Sequence, residues 1–535
     1  GASAKNMIND NYPVLSLTEE ANGKATVSES KSKRAAAGFS GRINYNWKDK
    51  LLVELNGRFD GSSKFAAGQK WGFFPSGSIG YRLSEENFMK NQNVISNLKV
   101  RASYGMIGNE DVVASDYHPF MSLIGNSSLS WIGPESANGS LTYFGMPGVS
   151  NPALTWESIE TIDVGLDLGF LNNDLNIVFD WFQRQTTGML VQADQVAYEI
   201  GLPSMPKVNA GDMRTRGWEV QVDYNHAFNK DFRIYATATL ADSKAKITKW
   251  GTNTGAITGY YVGKEWGEIW GFQTADAYFT ADEAANGVVI YDGSRVGINE
   301  VYQKALYKGS FRYGEGDVKF EDLNQDGKID SGKGTIDDHG DLIRIGNTTP
   351  RYEYNFRVDL AYKGFDFSAF FQGVGQRDMW GSSSMTIPGF SSGDGSMAAA
   401  IADDFWYETI VDGKVVDANY DAFYPRAANC AGTTSVFNMQ TSDRYLLDMS
   451  YLRLKNVTLG YSIPEKILNK AYISKLRVYV SLENFLTFDN LRGLPIDVEE
   501  MAGYSSFNSS NYNSGRAGVG TPTFKSASFG VQLTF

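Results

Sequence analysis

The chain has 535 residues, enough for several ordinary domains or for one very large barrel. Its formal net charge of −12 excludes extended nucleic-acid contacts, which need a basic surface. The sequence has no run of about 18 apolar residues, so a helical membrane span is also excluded, whereas membrane strands that are apolar on one face are not.

Apolar and polar residues alternate with period two in about thirteen segments, most of them near the 9–11 residues that cross a bilayer. In RYEYNFRVDLAY the aromatic and aliphatic residues point one way, and the charged residues and the asparagine point the other. The alternation changes phase near Asn456, which predicts a β-bulge. In chain order, strands are predicted at 41–47, 51–59, 75–83, 97–105, 161–170, 175–182, 217–225, 231–240, 351–362, 364–372, 451–462, 475–485 and 528–535.

The connections between these strands alternate between short and long. Tight turns are predicted at 48–50, 171–174, 228–230 and 362–364, and segments with room for one helical turn at 84–96 and 464–474. The long connections are 60–70, 107–154, 184–212, 249–350, 376–443 and 487–521. Short periplasmic turns and long outer loops are typical of an outer-membrane barrel, whereas a β-sandwich has no reason to sort its loops in this way. The alternation predicts a large extracellular loop at 249–350 and a periplasmic C-terminus.

Aromatic residues cluster near the ends of the predicted strands. A soluble sandwich would place them toward strand centres, whereas a membrane barrel carries them as girdles at the two interfaces. The opposite strand faces carry Arg, Glu, Asp and Asn, which suit a water-filled lumen. The sequence therefore predicts an all-β fold, a transmembrane antiparallel β-barrel in a lipid bilayer. The clustered aromatics are Tyr45, Trp47, Phe59, Tyr81, Tyr104, Trp181, Tyr224, Tyr362, Tyr461 and Phe485.

This predicted barrel is incomplete. About thirteen strands is an odd number, whereas bacterial barrels have even numbers. Each open edge would expose on the order of ten unpaired backbone groups to hydrocarbon, at several kcal/mol per group. We therefore expect other strands to complete the wall, most simply from an N-terminal part of the same gene product.

Several motifs resemble the C-terminal part of SusC-like (RagA-type) TonB-dependent outer-membrane transporters of Bacteroidetes. The resemblance runs nearly from end to end of residues 1–535, and the motifs are specific only in combination. They are RFDGSSKFAAGQKWGFFPSGSIGYRLSEENFM (58–89), LKVRASYGMIGN (98–109), GEIWGFQT (267–274), GDVKFEDLNQDGKID (316–330), IGNTTPRYEYNFRVDLAYKGFDFSAFFQGVG (345–375), YLRLKNVTLGYSIP (451–464), LRVYVSLENFLTF (476–488) and the terminal Phe535.

The resemblance implies that this chain supplies about 13–14 strands of a 22-stranded barrel that contains a plug. It implies import of oligosaccharides or oligopeptides with a SusD-like surface lipoprotein, energised by TonB–ExbB–ExbD through a plug that this sequence does not contain. It also implies that the barrel-assembly machinery recognises an aromatic terminal strand. The residues of that assembly signal are Phe529, Val531, Leu533 and Phe535.

DLNQDGKID matches the start of an EF-hand-type calcium loop. Its carboxylates surround Gly327, which occupies the position of the sharp turn, but Lys333 stands where a bidentate Glu is expected. No cofactor is required by the predicted function, and two interpretations stay open: a structural Ca²⁺ that stiffens the long loop, or an Asx/Gly-rich turn. The candidate ligands are Asp322, Asn324, Asp326, the Lys328 carbonyl and Asp330.

The segment YYVGKEWGEIWGF concentrates aromatic residues in the same long loop. Aromatic faces bind sugar rings and peptide side chains well, so these residues are candidate contacts to cargo or to the lid lipoprotein. The alternative is that they pack the loop onto itself. The candidates are Tyr260, Tyr261, Trp266 and Trp270.

No enzymatic activity is predicted. GFSSG at 389–393 fits the hydrolase pattern G-x-S-x-G, but all three histidines precede Ser391, so the triad order is missing. Besides the importer, two alternatives stay open: a passive porin or barrel scaffold of a surface assembly, and a soluble calcium-binding β-protein that binds glycans. A plug and a TonB box in the rest of the gene product would favour the importer over the porin.

Overall fold

One antiparallel sheet of 13 strands dominates the computed structural model, and its strands are neighbours in strict chain order. Each predicted segment falls in one of these strands and overruns its bounds by at most one residue, but most of the strands are longer than predicted, by up to ten residues at one end. The strands β1 to β13 are Ala36–Trp47, Leu51–Ser62, Trp71–Arg82, Ile95–Asn109, Glu157–Phe170, Leu175–Gln192, Lys207–Ala227, Phe232–Lys249, Arg351–Tyr362, Phe365–Gln376, Tyr451–Ser462, Lys475–Asp489 and Ser526–Thr534. The structure describes residues 33–110, 119–122, 126–130, 140–144, 149–193, 205–251, 254–306, 311–380, 399–402, 404–426, 438–468, 473–499 and 523–534.

One face of this sheet is apolar from one edge to the other, because the register places apolar residues of each strand opposite those of the next. Ile43 lies opposite Leu55 at one edge, and Val480 lies opposite Phe529 at the other. Between them Phe356 stacks on Phe371, with ring centroids 4.4 Å apart. No second layer covers these residues within the described chain, since Val480 is 46% and Phe529 72% exposed. The predicted bulge is confirmed by a register shift between Leu454 and Asn456.

The connections follow the predicted alternation. On the short side, a 3₁₀ turn at Leu83–Glu85 and a single α-helical turn at Glu465–Leu468 occupy the two longer segments. The predicted excursion at 184–212 is wrong in extent, because β6 and β7 continue into it. Their pairing persists past irregularities around Met189 to Gln192 opposite Lys207, so the connection shortens to 193–206.

The long connections contain short elements of their own. Paired strands are Asn126–Ser130 with Ser140–Phe144, Glu268–Phe272 with Leu342–Asn347, Val288–Val289 with Arg295–Val296, Asp378–Trp380 with Leu446–Asp448, and Tyr407–Val411 with Lys414–Asn419. Helical segments are α-helices at Ala281–Asn286 and Ala399–Ala402, 3₁₀ turns at Lys304–Leu306 and Asp443–Tyr445, and a π turn at Ile298–Tyr302. Within the described ranges, no helix has the length and hydrophobicity needed to cross a membrane.

The main hydrophobic core lies outside the sheet. It is built from the connections 250–350, 377–450 and 490–499, together with the adjoining ends of β10 and β11. We call the described residues of these three connections the loop body. Its most deeply buried side chains include Phe279, Phe320, Ile329, Ile401, Tyr445, Leu447 and Met449. The wall holds together by strand pairing, whereas the loop body folds around an ordinary apolar core.

Both edges of the sheet are open in the part of the chain that the structure describes. β1 pairs only with β2, and β13 pairs only with β12. All 12 residues of β1 are exposed, as are most residues of β13. Two rows of backbone groups are therefore available for further strands.

Candidate functional site: the polar face and the loop body

The polar face of the sheet carries ion pairs that cross three strands. Arg101 on β4 contacts Asp167 on β5 at 2.8 Å and Asp180 on β6 at 2.9 Å. Gly165 on β5 lies directly between Arg101 and Asp180 in the register. A Cβ there would lie 2.3 Å from an Asp180 carboxylate oxygen and 2.6 Å from the Arg101 guanidinium carbon. Glycine is therefore needed for the guanidinium to pass over the middle strand.

The same arrangement recurs near the other edge. Arg477 on β12 reaches across β11 to Asp366 on β10, with Nε 2.9 Å from the carboxylate. The strand between them contributes Gly460, whose Cβ would lie 2.6 Å from both partners. These bridges tie charged groups into fixed positions on a face that would otherwise consist of long, flexible side chains.

Two cavities lie along the polar face near β1 to β4. The larger, of about 860 Å³, is lined by residues that include Arg42, Arg58, Asp60, Glu110 and Trp156. The smaller, of about 510 Å³, is lined by groups that include Glu54, Lys99, Arg101 and Asp163. Charges of both signs line each cavity, as expected of a surface that is in water.

A further cavity of about 770 Å³ lies within the loop body. It is lined by Lys264, Glu268 and Trp270 from one connection and by Gln440 and Thr441 from another. The Glu268 carboxylate accepts a hydrogen bond from the Trp270 indole at 2.9 Å. The Lys264 ammonium donates to the carbonyl of Gly259 at 2.7 Å, and burial lowers the pKa of this lysine. The cavity thus combines an aromatic face, an anion and a cation.

The four predicted aromatic contacts divide into two pairs. Tyr261 is buried and donates its hydroxyl to Glu268, and its pKa is raised to about 12 by burial and by that carboxylate. Trp270 packs against His339, with centroids 5.4 Å apart, and borders the loop-body cavity. Tyr260 and Trp266 instead stack on each other at 5.6 Å and are 41% and 44% exposed. Only Trp270 of the four borders this cavity.

An ion pair with a fully buried carboxylate connects two of the long connections. Asp317 has no exposed surface, and its carboxylate accepts two hydrogen bonds from the Arg426 guanidinium at 2.7 and 2.6 Å. The same carboxylate accepts from the Asn438 amide at 2.8 Å and from the Gly314 backbone N–H at 2.7 Å. The hydrogen bonds to Asp317 raise the pKa of Arg426. Sequence patterns gave no sign of this pair, whose members are 109 residues apart.

The five candidate calcium ligands mostly satisfy the turn itself. The Asp322 carboxylate accepts from the backbone N–H of Asp326 at 3.1 Å and of Gly327 at 2.8 Å. The Asn324 side chain accepts from the same Asp326 N–H at 3.0 Å. The Lys328 ammonium lies 3.4 Å from Asp326 and 2.7 Å from Asp330. In the described ranges, which include all five residues, no three acidic, His or Cys side chains converge as metal ligands do. The calcium site stays a prediction.

We expect a chelator to leave the stability of the loop body unchanged, because these turns are closed by Asx hydrogen bonds and a lysine. Thermal unfolding with excess Ca²⁺ and with EDTA measures this directly. If EDTA instead lowered the unfolding temperature of the wild type but not that of the Asp322→Asn variant, a structural calcium site would be established.

The predicted assembly signal lies at an open edge. Phe529, Val531 and Leu533 of β13 are all exposed on the apolar face, while Phe535 lies outside the described residues. Ser391, the candidate nucleophile that the sequence argued against, is also outside them.

Comparisons with known proteins agree with this architecture. A family model described as TonB dependent receptor-like, beta-barrel matches residues 3–484. TonB-dependent receptor P3 of Formosa agariphila is 28% identical over 510 residues, which cover 92% of this chain and 45% of that protein. TonB-dependent receptor SusC of Bacteroides thetaiotaomicron is 24% identical over 478 residues, covering 88% and 42%. The chain therefore spans about half the length of these relatives.

A solved structure shows the same fold. The structure of the RagAB peptide transporter matches with a TM-score of 0.67 at 20% identity, and the match covers 98% of this chain and 50% of that one.

Proposed function

This chain belongs to the TonB dependent receptor-like β-barrel family, and from that premise we propose that it forms the C-terminal part of the wall of an outer-membrane importer of the SusC and RagA type. Family membership makes it a receptor component and not an enzyme. The cargo we propose is an oligosaccharide or an oligopeptide, taken up with a SusD-like surface lipoprotein.

The observation that supports this proposal best is the pair of opposite sheet faces. The apolar face runs across all 13 strands, and the other face carries charged groups and cavities. In water, this apolar face would be far larger than the few hundred Å² that soluble monomers expose. Lipid on one side and a water-filled bore on the other satisfy both faces at once.

The open edges support the other half of the proposal. We expect strands from an N-terminal part of the gene product to pair with β1 and β13 and to close a 22-stranded barrel around a plug. The plug would contact the TonB–ExbB–ExbD complex, and the barrel-assembly machinery would recognise β13. With the short connections in the periplasm, the C-terminus is periplasmic and the loop body is extracellular.

The loop-body cavity is our candidate for cargo contact. Trp270 offers a face for a sugar ring or an apolar peptide side chain, and Glu268 and Lys264 offer groups that bind hydroxyls, amides or charges. Tyr261 acts through Glu268, which it holds in place.

Disrupting the gene is expected to abolish growth on one class of polymer, either glycan or protein, while growth on monosaccharides and amino acids continues. A complementing copy with Trp270→Ala should grow more slowly on that polymer at wild-type levels of folded receptor, and Tyr291→Ala, at an exposed position away from the cavity, is the matched control. Equal growth of the disruptant on every polymer would favour the scaffold alternative.

A further inference from the structure

We propose that the outward face of β6, β7 and β8, at their long-connection ends, binds phosphate groups of an anionic lipid in the outer leaflet. This inference rests on the membrane placement proposed above. We call the surface the basic patch; it consists of Arg214, Arg216, Lys244, Lys246 and Arg351, which together with Trp181, Trp218 and Asp242 line a cavity of about 450 Å³.

The register places these residues on the lipid-facing side. Opposite residues of an antiparallel pair share a face, so each row across β6, β7 and β8 can be followed from the pairing. Two apolar rows are followed by a mixed row, in which Trp181 and Trp218 lie beside Asp242, and the next two rows are polar. The rows are Ile177, Val222 and Ala238; Phe179, Val220 and Leu240; Trp181, Trp218 and Asp242; Gln183, Arg216 and Lys244; and Gln185, Arg214 and Lys246.

Distances along β8 place the basic patch at the level of lipid headgroups. From Phe232 to Leu240 the strand rises about 27 Å at ~3.4 Å per residue. A tilt of 35–45° converts this to a height of about 20 Å, close to the ~25 Å apolar band of membrane barrels. The tryptophans in the row that follows occupy the position of an interfacial girdle. The basic residues come next, where the hydrocarbon ends.

Within the described residues, two of the five cations of the patch have no ion-pair partner. Asp242 pairs with Arg351, and Glu265 contacts Lys246 at 3.0 Å and Lys244 at 3.9 Å. Glu160 and Asp212 border the patch. Among described residues, Arg214 and Arg216 make no ion pair, and the Lys244 and Lys246 side chains are 50% and 49% exposed. Counted with all four carboxylates, the five cations leave an excess of one positive charge, in a chain whose net charge is −12.

Phosphate is the chemistry that fits best. Guanidinium groups bind phosphate oxygens in pairs, and ammonium groups add point charges. Trp181 and Trp218 line the same cavity as these cations. Aromatic rings next to cations are typical of the membrane–water interface. Tyr260 and Trp266 are not part of this surface. Glu265 is bridged to Lys246, so the next residue, Trp266, lies beside Ala245 on the opposite face and carries Tyr260 with it. Both stay candidate contacts to cargo or to the lid lipoprotein.

The test uses the full-length receptor, purified in detergent, and measures binding of a diphosphorylated glycolipid and of its dephosphorylated form by native mass spectrometry. The variant Arg214→Gln/Arg216→Gln/Lys244→Gln should bind the diphosphorylated lipid about 100-fold more weakly. The matched control is Lys48→Gln/Lys230→Gln/Lys363→Gln, which removes the same charge from the short turns and should bind like the wild type. Both variants should show the same heat-modifiable mobility as the wild type, which confirms that the barrel is folded.

The proposal is overturned if the two lipids bind equally, if the patch variant binds like the wild type, or if both variants lose affinity equally. It is also overturned if the patch variant loses its co-purifying lipoprotein but keeps lipid, since the patch would then contact protein. A receptor that folds and imports cargo without preferring the phosphorylated lipid would refute this inference alone. A receptor that never enters the outer membrane would refute the proposed function.

Discussion

Replacing Ala238 with arginine is expected to remove most folded receptor from the outer membrane. Ala238 lies in the middle of β8 on the apolar face, opposite Val222 on one side and Phe356 on the other. A charged side chain at the bilayer midplane destabilises a membrane barrel by about 2–4 kcal/mol. This is a large part of the 5–15 kcal/mol of net stability that is typical of folded proteins. The measurement is the amount of heat-modifiable receptor in the outer-membrane fraction.

The control is the same substitution one residue earlier. Thr237 points to the polar face, opposite Asp223 and Arg357. One Asp223 carboxylate oxygen there is buried and has no hydrogen-bond partner among the residues that the structure describes. Thr237→Arg therefore adds a charge in water, beside an available carboxylate, and should leave the folded receptor close to the wild-type level. If the two arginine variants accumulate equally, the assignment of the faces is wrong, and a soluble or differently oriented sheet must be considered.

The strands of the wall were largely predictable from the sequence because each strand is specified by a pattern within its own residues. Each strand has its own alternation of apolar and polar residues, as in 351–362. Every strand of the wall has one face toward lipid and the other toward water, so the same alternation is expected in all of them. No competing core obscures the pattern. The extent of β6 and β7 was missed because the irregularity near Met189 breaks the alternation without ending the pairing.

The bridges on the polar face show where prediction from the sequence stops. Arg101, Gly165 and Asp180 give no signal individually in the sequence. Their ion pair across the glycine can be recognised only once the register of the three strands is known. The aromatic candidates show the same limit: Tyr260 and Tyr261 are adjacent, yet one is 41% exposed and the other buried. A run of aromatic residues does not show which of its side chains will turn toward a hydrogen-bond partner, as Tyr261 does toward Glu268.

Arg426→Ala is expected to loosen the loop body while the wall stays folded. The Asp317 carboxylate is fully buried in the wild type, and the substitution leaves it with the Asn438 amide and the Gly314 N–H as its remaining donors among the described residues. Removing one partner of a buried ion pair costs about 3–5 kcal/mol. The two remaining donors and the 38% exposure of the Arg426 side chain place the expected cost at the lower end of that range. Backbone amides of 311–320 and 438–449 should therefore exchange hydrogen for deuterium faster, by roughly two orders of magnitude where exchange follows this opening. Amides of β7 and β8 should be unaffected.

The matched control is Arg295→Ala, in the same connection. Arg295 pairs with Asp282 at 2.8 Å, but their side chains are 43% and 59% exposed, so the pair contributes less than about 1 kcal/mol. Its exchange pattern should stay close to that of the wild type. Equal exchange in the two variants would show that the Asp317–Arg426 pair does not hold the long connections together. The loop-body cavity would then depend on the apolar core alone, and its shape would not be a reliable guide to the cargo.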